Sequence, residues 1–313
     1  MHSNRSRGAI KGALITLLIV CGGASRGDGL QQSSLRLSIE VGKTEYFQGE
    51  PIYAVFRLRN TSTADTAWVQ PFQIMPDCLN VLLTRSDGSV VPHQVLWIDY
   101  ATDAAYRGMP VLPGEELFEL VLLQESWGVE PKPTERVFLH DVGPEHYTLS
   151  AQFLPQVRTR PSPAMEAVVA PAVSFTVRRR TRAEEVAFNQ VRDVMSLVFD
   201  RAQRPQYVRA LIDLASGRLK TDSTDPYLAY LLNNGVIMAQ AAQLRLDSTQ
   251  NARVMDMRIA TARAQRALPA GALVAQAAFF AARSIGLQLS EELGASLAGD
   301  VVRADKARYS KSR

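Results

Sequence analysis

The chain has 313 residues, of which 46% are hydrophobic and 21% charged, a balance that excludes global disorder and a length that accommodates two domains. The formal net charge of +4 has its excess partly in residues 1–11 and partly in the tail 303–313. No basic stripe with interleaved aromatics accompanies it, which argues against nucleic acid as a partner.

Residues 1–11 carry His2, Arg5, Arg7 and Lys11 and no acid, and residues 12–21, GALITLLIVC, carry no charge. Small residues follow. This order predicts a secretory signal peptide over 1–24. The apolar run is about half the ~20 residues a spanning helix needs. Two exits stay open. Cleavage after Ala24 is one. The other lies before Cys21: Leu18-Ile19-Val20-Cys21 resembles a bacterial lipoprotein box, although Val20 stands where that family has a small residue. The resemblance implies lipidation of Cys21 and a membrane contact through that anchor alone. Residues 25–33 are expected to be a short tether, and the mature chain to be exported: periplasmic, outer-membrane-anchored or secreted. With Cys21 gone or lipidated, Cys78 stands alone, so stability must come from core burial and not from disulfides.

From residue 34 the apolar residues alternate. Leu35, Leu37, Ile39 and Val41 share a face, as do Ile52, Ala54, Phe56 and Leu58. Further strands are predicted over 67–72, 78–84, 90–98, 117–123, 146–153 and 172–177, with a hairpin turn at Asp87-Gly88. About eight short strands separated by turns predict an antiparallel sandwich over 34–178. Residues 154–171 hold four prolines and are read as an exposed loop or a partly extended edge. Three turn segments carry a family likeness: Tyr46 with Gly49-Glu50-Pro51, then Pro113-Gly114-Glu115, then Gly143 with Tyr147. They resemble immunoglobulin-like modules of bacterial surface proteins, and are similar to macroglobulin-type sandwiches. The resemblance implies a fold and no shared active site. The thioester Cys-Gly-Glu-Gln segment is absent, so no covalent-trap chemistry is implied.

Residues 179–185 read as a charged linker, and a helical region is expected over 186–307 before a basic tail at 308–313. Val186, Val191, Val194 and Val198 mark one helical stripe. Helices are predicted over 186–199, 205–217 with Gly217 as its stop, 227–246 after Asp225-Pro226, 252–268, 272–289 and 293–307. Asn233-Asn234-Gly235 is a candidate kink. The Ala-rich helix 272–289 is expected at the centre. Residues 226–306 resemble tetratricopeptide-type repeats through Ala264 and Pro269, but the Trp, Leu-Gly and Tyr positions of that family are missing. An irregular bundle is the alternative. The fold class is therefore multidomain β plus α: an immunoglobulin-like antiparallel sandwich, then an all-α helical-hairpin domain.

No catalytic residue is identifiable. HExxH, GxSxG and GxxxxGK segments are all absent, and no cofactor or metal is implied. His140, Asp141 and His146 flank one turn and read as surface residues. Cys78 reads as a small buried hydrophobe. The candidate binding residues are Trp127, in the loop QESWGVEPKP, with Trp97 and Trp68, and Arg303 and Lys306 in the tail, which would steer an acidic surface. The expected function is a non-catalytic envelope protein that binds or scaffolds a protein partner. Carbohydrate binding through the tryptophans, and a hydrolase with unidentified carboxylates, are the alternatives.

Overall fold

The computed structural model describes residues 34–70, 72, 74, 78–92, 108–126, 142–155 and 166–265. A β-sheet region comes first and an α-helical region follows. Strands β1 (Leu35–Val41), β3 (Tyr53–Asn60) and β7 (Glu116–Leu122) form one antiparallel sheet in the order β1-β3-β7. A second sheet runs β2 (Glu45–Phe47), β10 (Val173–Arg178), β8 (Glu145–Phe153), β5 (Leu79–Arg85). The short pair β4 (Ala67–Val69) and β6 (Met109–Val111) stands apart.

Alternation decides which faces meet. Leu35 and Leu37 of β1, Ala54, Phe56 and Leu58 of β3, and Leu117 of β7 share one buried cluster with Leu79, Val81 and Leu83 of β5, Leu149, Ala151 and Phe153 of β8, and Phe175 and Val177 of β10. Each sheet thus buries one face in a common core. Tyr147 stacks on Phe175 at 5.7 Å, and Tyr46 meets the same ring edge-on at 5.6 Å. The Asp87-Gly88 hairpin turn is present: Arg85 N–H donates to the Ser89 carbonyl, and Val91 N–H to that of Leu83.

Two features depart from the expected antiparallel sheets. First, β2 pairs with β10 in parallel, Tyr46 opposite Val177. The strands are far apart in sequence, so no hairpin dictates their sense. Second, β9 (Val168–Val169) is the start of the strand that β10 continues. From Val168 to Val173 this strand advances five residues while β8 recedes four, from Phe153 to Leu149. The extra residue falls at Ala170-Pro171-Ala172, a bulge where a proline without an N–H is tolerated. The Pro-rich stretch thus ends as an extended edge; residues 156–165, and Pro71, lie outside the described residues.

After β10 come α2 (Arg182–Ser196), α3 (Tyr207–Thr221), α4 (Tyr227–Ala241) and α5 (Ser248–Gln265); a single turn, α1 (Leu123–Ser126), precedes them in the sheet region. Helix α2 starts inside the stretch read as linker. Thr181 caps it: its hydroxyl accepts from Glu184 N–H, and the Glu184 carboxylate accepts from Thr181 N–H at 2.7 Å. Arg178 holds that carboxylate from the strand side at 2.6 Å. Helix α3 passes through Gly217 without stopping and buries Tyr207, Val208, Leu211, Ile212 and Ala215, a stripe at helical spacing. Helix α4 likewise runs through Asn233-Asn234-Gly235; Leu211 packs where a Gly235 Cβ would sit. At its start, Asp225 accepts from Tyr227 N–H at 2.8 Å. Among α2 to α5, α3 and α4 each touch the other three. The helices expected at 272–289 and 293–307 lie outside the described residues.

The two regions interlock. Phe47 and Leu122, at strand ends, belong to the helical core cluster, with Tyr53 packed against it. Tyr53 Oη donates to Asn234 Oδ1 at 3.2 Å, and Tyr227 Oη to the Gly49 carbonyl at 3.2 Å. All described residues fall in one compact unit.

Candidate functional site

Helices α2 and α3 lie side by side and leave an open groove of about 470 Å³ between them. Its existence follows from helical geometry. Val191 and Met195 are the buried residues of α2, and Val198 is buried in the turn that follows it. Val186 sits about 140° round the helix from Val191, so it cannot join them. It is 54% exposed and forms one wall. This corrects the stripe assigned to Val186 from sequence. Leu214 and Gly217 form the facing wall on α3. A Cβ added to Gly217 would meet no atom within 4 Å, so packing does not require glycine there; its absence of side chain keeps the groove open.

The polar end of the groove is built around Arg218, 9% exposed. Its Nη1 donates to Asp225 Oδ2 at 2.5 Å, and its Nη2 to the Ala187 carbonyl at 2.8 Å and to Gln190 Oε1 at 3.1 Å. The guanidinium lies 5.4 Å from the Tyr227 ring centroid. Asp225 thus caps α4 with one oxygen and holds Arg218 with the other, so both groups tie three helices together. Asp213 and Asp222 stand on the rim. The described lining contains no His, Cys or Ser, and the Thr221 hydroxyl donates to the Gly217 carbonyl. The groove thus combines small and apolar residues, Ala183, Val186, Ala187 and Leu214, with the carboxylates of Asp213, Asp222 and Asp225.

No protein-family model matches this chain, and no curated protein does.

The sequence-derived candidates distribute differently. Trp68 lies on β4 opposite Pro110 and is 39% exposed. Trp97, Trp127, Arg303, Lys306 and Cys21 lie outside the described residues, as do His140 and Asp141. His146 Nδ1 is 3.1 Å from Thr176 Oγ1. Cys78 is buried, as a small hydrophobe is expected to be.

Two carboxylates, Glu119, which sequence reasoning passed over, and Glu50, which it read only as a turn residue, are placed by the sheets. Glu119 pairs with Phe56 in the β3–β7 ladder, and directly opposite residues share a face, so Glu119 points to the core side. Burial pushes its pKa up to about 7. Glu50 is fully buried beside the turn Phe47–Glu50; it accepts from Phe47 N–H at 3.0 Å and pairs with Lys43. Burial raises its pKa too, against the pull of Lys43. Gln124 of α1 accepts from Ile52 N–H at 2.9 Å and donates to the Glu50 carbonyl, so Glu50 serves as a fixed corner of the fold. Gly49, the third residue of that turn with φ +77°, has a second reason to be glycine: a Cβ there would fall 2.6 Å from Phe188 of α2.

Proposed function

We propose that this chain is a non-catalytic binding protein of a bacterial cell envelope, and that its helical region offers the α2–α3 groove to a protein partner. The carrying observation is the groove itself: exposed Val186 faces a wall opened by Gly217, with carboxylates on the rim. An open trough suits an apolar helix side with flanking basic residues better than an enclosed small ligand. The sheets' common core supports an immunoglobulin-like sandwich, and the successive helices joined by short turns support a helical-hairpin arrangement. Export rests on the charge and hydropathy pattern of residues 1–24, with Cys21 as the alternative first residue of a lipidated mature chain. Exposed Trp68 keeps a glycan as the second class of ligand.

Two measurements test this reading. N-terminal mass analysis of the protein from envelope fractions is expected to find residues 1–20 or 1–24 removed; an intact Met1 on a cytoplasmic protein overturns export. Capture of envelope proteins by wild type and by the Val186→Lys, Gly217→Lys double variant tests the groove. The variant is expected to keep its helical circular dichroism and lose at least one specific partner. Identical capture by both proteins overturns the groove's role.

A further inference from the structure

The two helices that make the groove also carry a ridge that matches it. Helices α2 and α3 run antiparallel: Tyr207 Oη donates to Met195 Sδ at 3.3 Å toward one end, and Arg218 Nη2 to the Ala187 carbonyl at 2.8 Å toward the other. On α2, Arg182, Val186 and Gln190 follow at intervals of four and form one row. All three are exposed. On α3, Asp213, Gly217 and Thr221 follow at the same interval, line the groove and are exposed too.

The rows are chemically complementary, level by level. The α2 row is a cation, an apolar side chain and an amide. The α3 row is a carboxylate, a gap where a Cβ would meet no atom within 4 Å, and a hydroxyl. Four residues advance any α-helix by about 6 Å, so the match holds at all three levels together if the rows run the same way. Within one chain they run opposite ways, and the order is reversed. An α2 from another molecule, laid antiparallel along the first α2, runs in the direction of α3 and brings the rows into register. The same arrangement keeps the two Arg182 cations at opposite ends of the contact.

We propose that the groove is occupied by α2 of a second copy of this chain, in a two-fold symmetric dimer. This rests on reading the groove as a protein contact surface and names its occupant. The second copy's Val186 fills the gap over Gly217, its Arg182 reaches Asp213, and its Gln190 amide donates to the Thr221 oxygen. Because each chain carries both row and groove, every contact is made twice, and the paired α2 and α3 helices pack as four. The charges are available for it. Among the described residues no carboxylate pairs with Arg182. Asp213 has only loose, exposed partners in its own chain, Arg209 at 3.7 Å and Arg253 at 3.8 Å, which hold it weakly.

Sedimentation velocity of the full chain tests the dimer. The wild type is expected to associate with rising concentration, and Val186→Lys to stay monomeric. Arg182→Asp and Asp213→Arg are each expected to raise the dimer dissociation constant about tenfold or more, since each then sets like charges together twice. An equimolar mixture of these two variants is expected to regain wild-type association, because both contacts of the mixed pair again join opposite charges. Association through any other surface is indifferent to mixing. Circular dichroism checks that each variant is folded. A wild type that is monomeric at every concentration reached overturns the proposal, as does a dimer that survives Val186→Lys, or a mixture no better than its separate variants. A monomeric wild type that still loses an envelope partner in the Val186→Lys, Gly217→Lys variant rejects the second copy and keeps the groove as a contact surface. Rescue by mixing, with envelope capture unchanged in that variant, keeps the dimer and removes any other partner from the groove.

Discussion

Glu119 is a carboxylate turned toward an apolar core from the end strand of its described sheet. Its neighbours on that face of β7 are Leu117 and Val121, and Phe56 stands opposite. An inward charge of this kind discourages edge-to-edge pairing of sheets, at a cost in stability. The pH dependence follows from its direction of shift. The folded pKa, about 7, lies above the ordinary value of 4.5. Between those values the folded chain holds a proton that the unfolded chain releases, so stability falls as pH rises through that window and stays low above it. Glu119→Gln is expected to stabilise the protein by up to about 3 kcal/mol at pH 8 and to change little at pH 4. Urea denaturation at the two pH values measures this; an equal effect at both rejects the assignment. Glu184 acts in the opposite sense. Arg178 holds its carboxyl down to about 2, so its contribution is present above pH 4.5 and is lost toward pH 2. That pair is largely solvated and its share is small.

Helix ends leave backbone groups that a specific turn geometry must satisfy. Helix α4 finishes in a Schellman motif: Leu244 N–H donates to the Ala239 carbonyl at 2.8 Å, and Gln243 N–H to that of Gln240 at 2.9 Å. The motif puts Gln243 at φ +61°, the single described non-glycine residue with positive φ. A side chain in that conformation costs about 1 kcal/mol or more relative to glycine. Gln243→Gly is therefore expected to raise stability by about 1 kcal/mol, read as a higher denaturant midpoint with an unchanged slope. A lower midpoint would mean that the Gln243 side chain makes a contact worth more than the strain. The start of α2 teaches a related lesson. Thr181 and Glu184 have the spacing of a capping box, and that signal was present among the arginines of 177–185. The charge run masked it, since charge density alone favours a solvated linker. Gly217 does not stop its helix: Arg218 and Leu219 continue the inward side beyond it, and the helix runs on to Thr221.

At the scale of the molecule, the sheet and helical regions fold against each other. Expressed alone, residues 34–178 would lose the helical cover over Phe47, Tyr53 and Leu122, as well as the Tyr227 contact to Gly49. The full chain is expected to unfold with coincident loss of helix and of tertiary packing around the tyrosines, followed by far- and near-ultraviolet circular dichroism. Two separated transitions would show that the shared contacts are too weak to couple the regions. Much of this architecture was legible from local pattern. The period of two through 35–60 and 145–178 and the helical spacing after 205 are properties of neighbouring residues, and β1, β3, β8, β10, α3 and α4 appear within a few positions of where those periods put them. The site was not legible in the same way. Val186 looks like any core valine until the angle between it and Val191 is fixed by an actual helix start at Arg182 and by α3 covering the other side. Composition and periodicity determined that strands precede helices and that no disulfide framework is available, because those facts depend on residues close in sequence or on simple counts. Tertiary structure alone decided the parallel β2–β10 pairing, the inward direction of Glu119, the close approach of Phe188 to Gly49, the burial of Arg258 and the open groove. Each depends on which distant element comes to cover a given face, and a local period states that a face is apolar without stating what will lie against it.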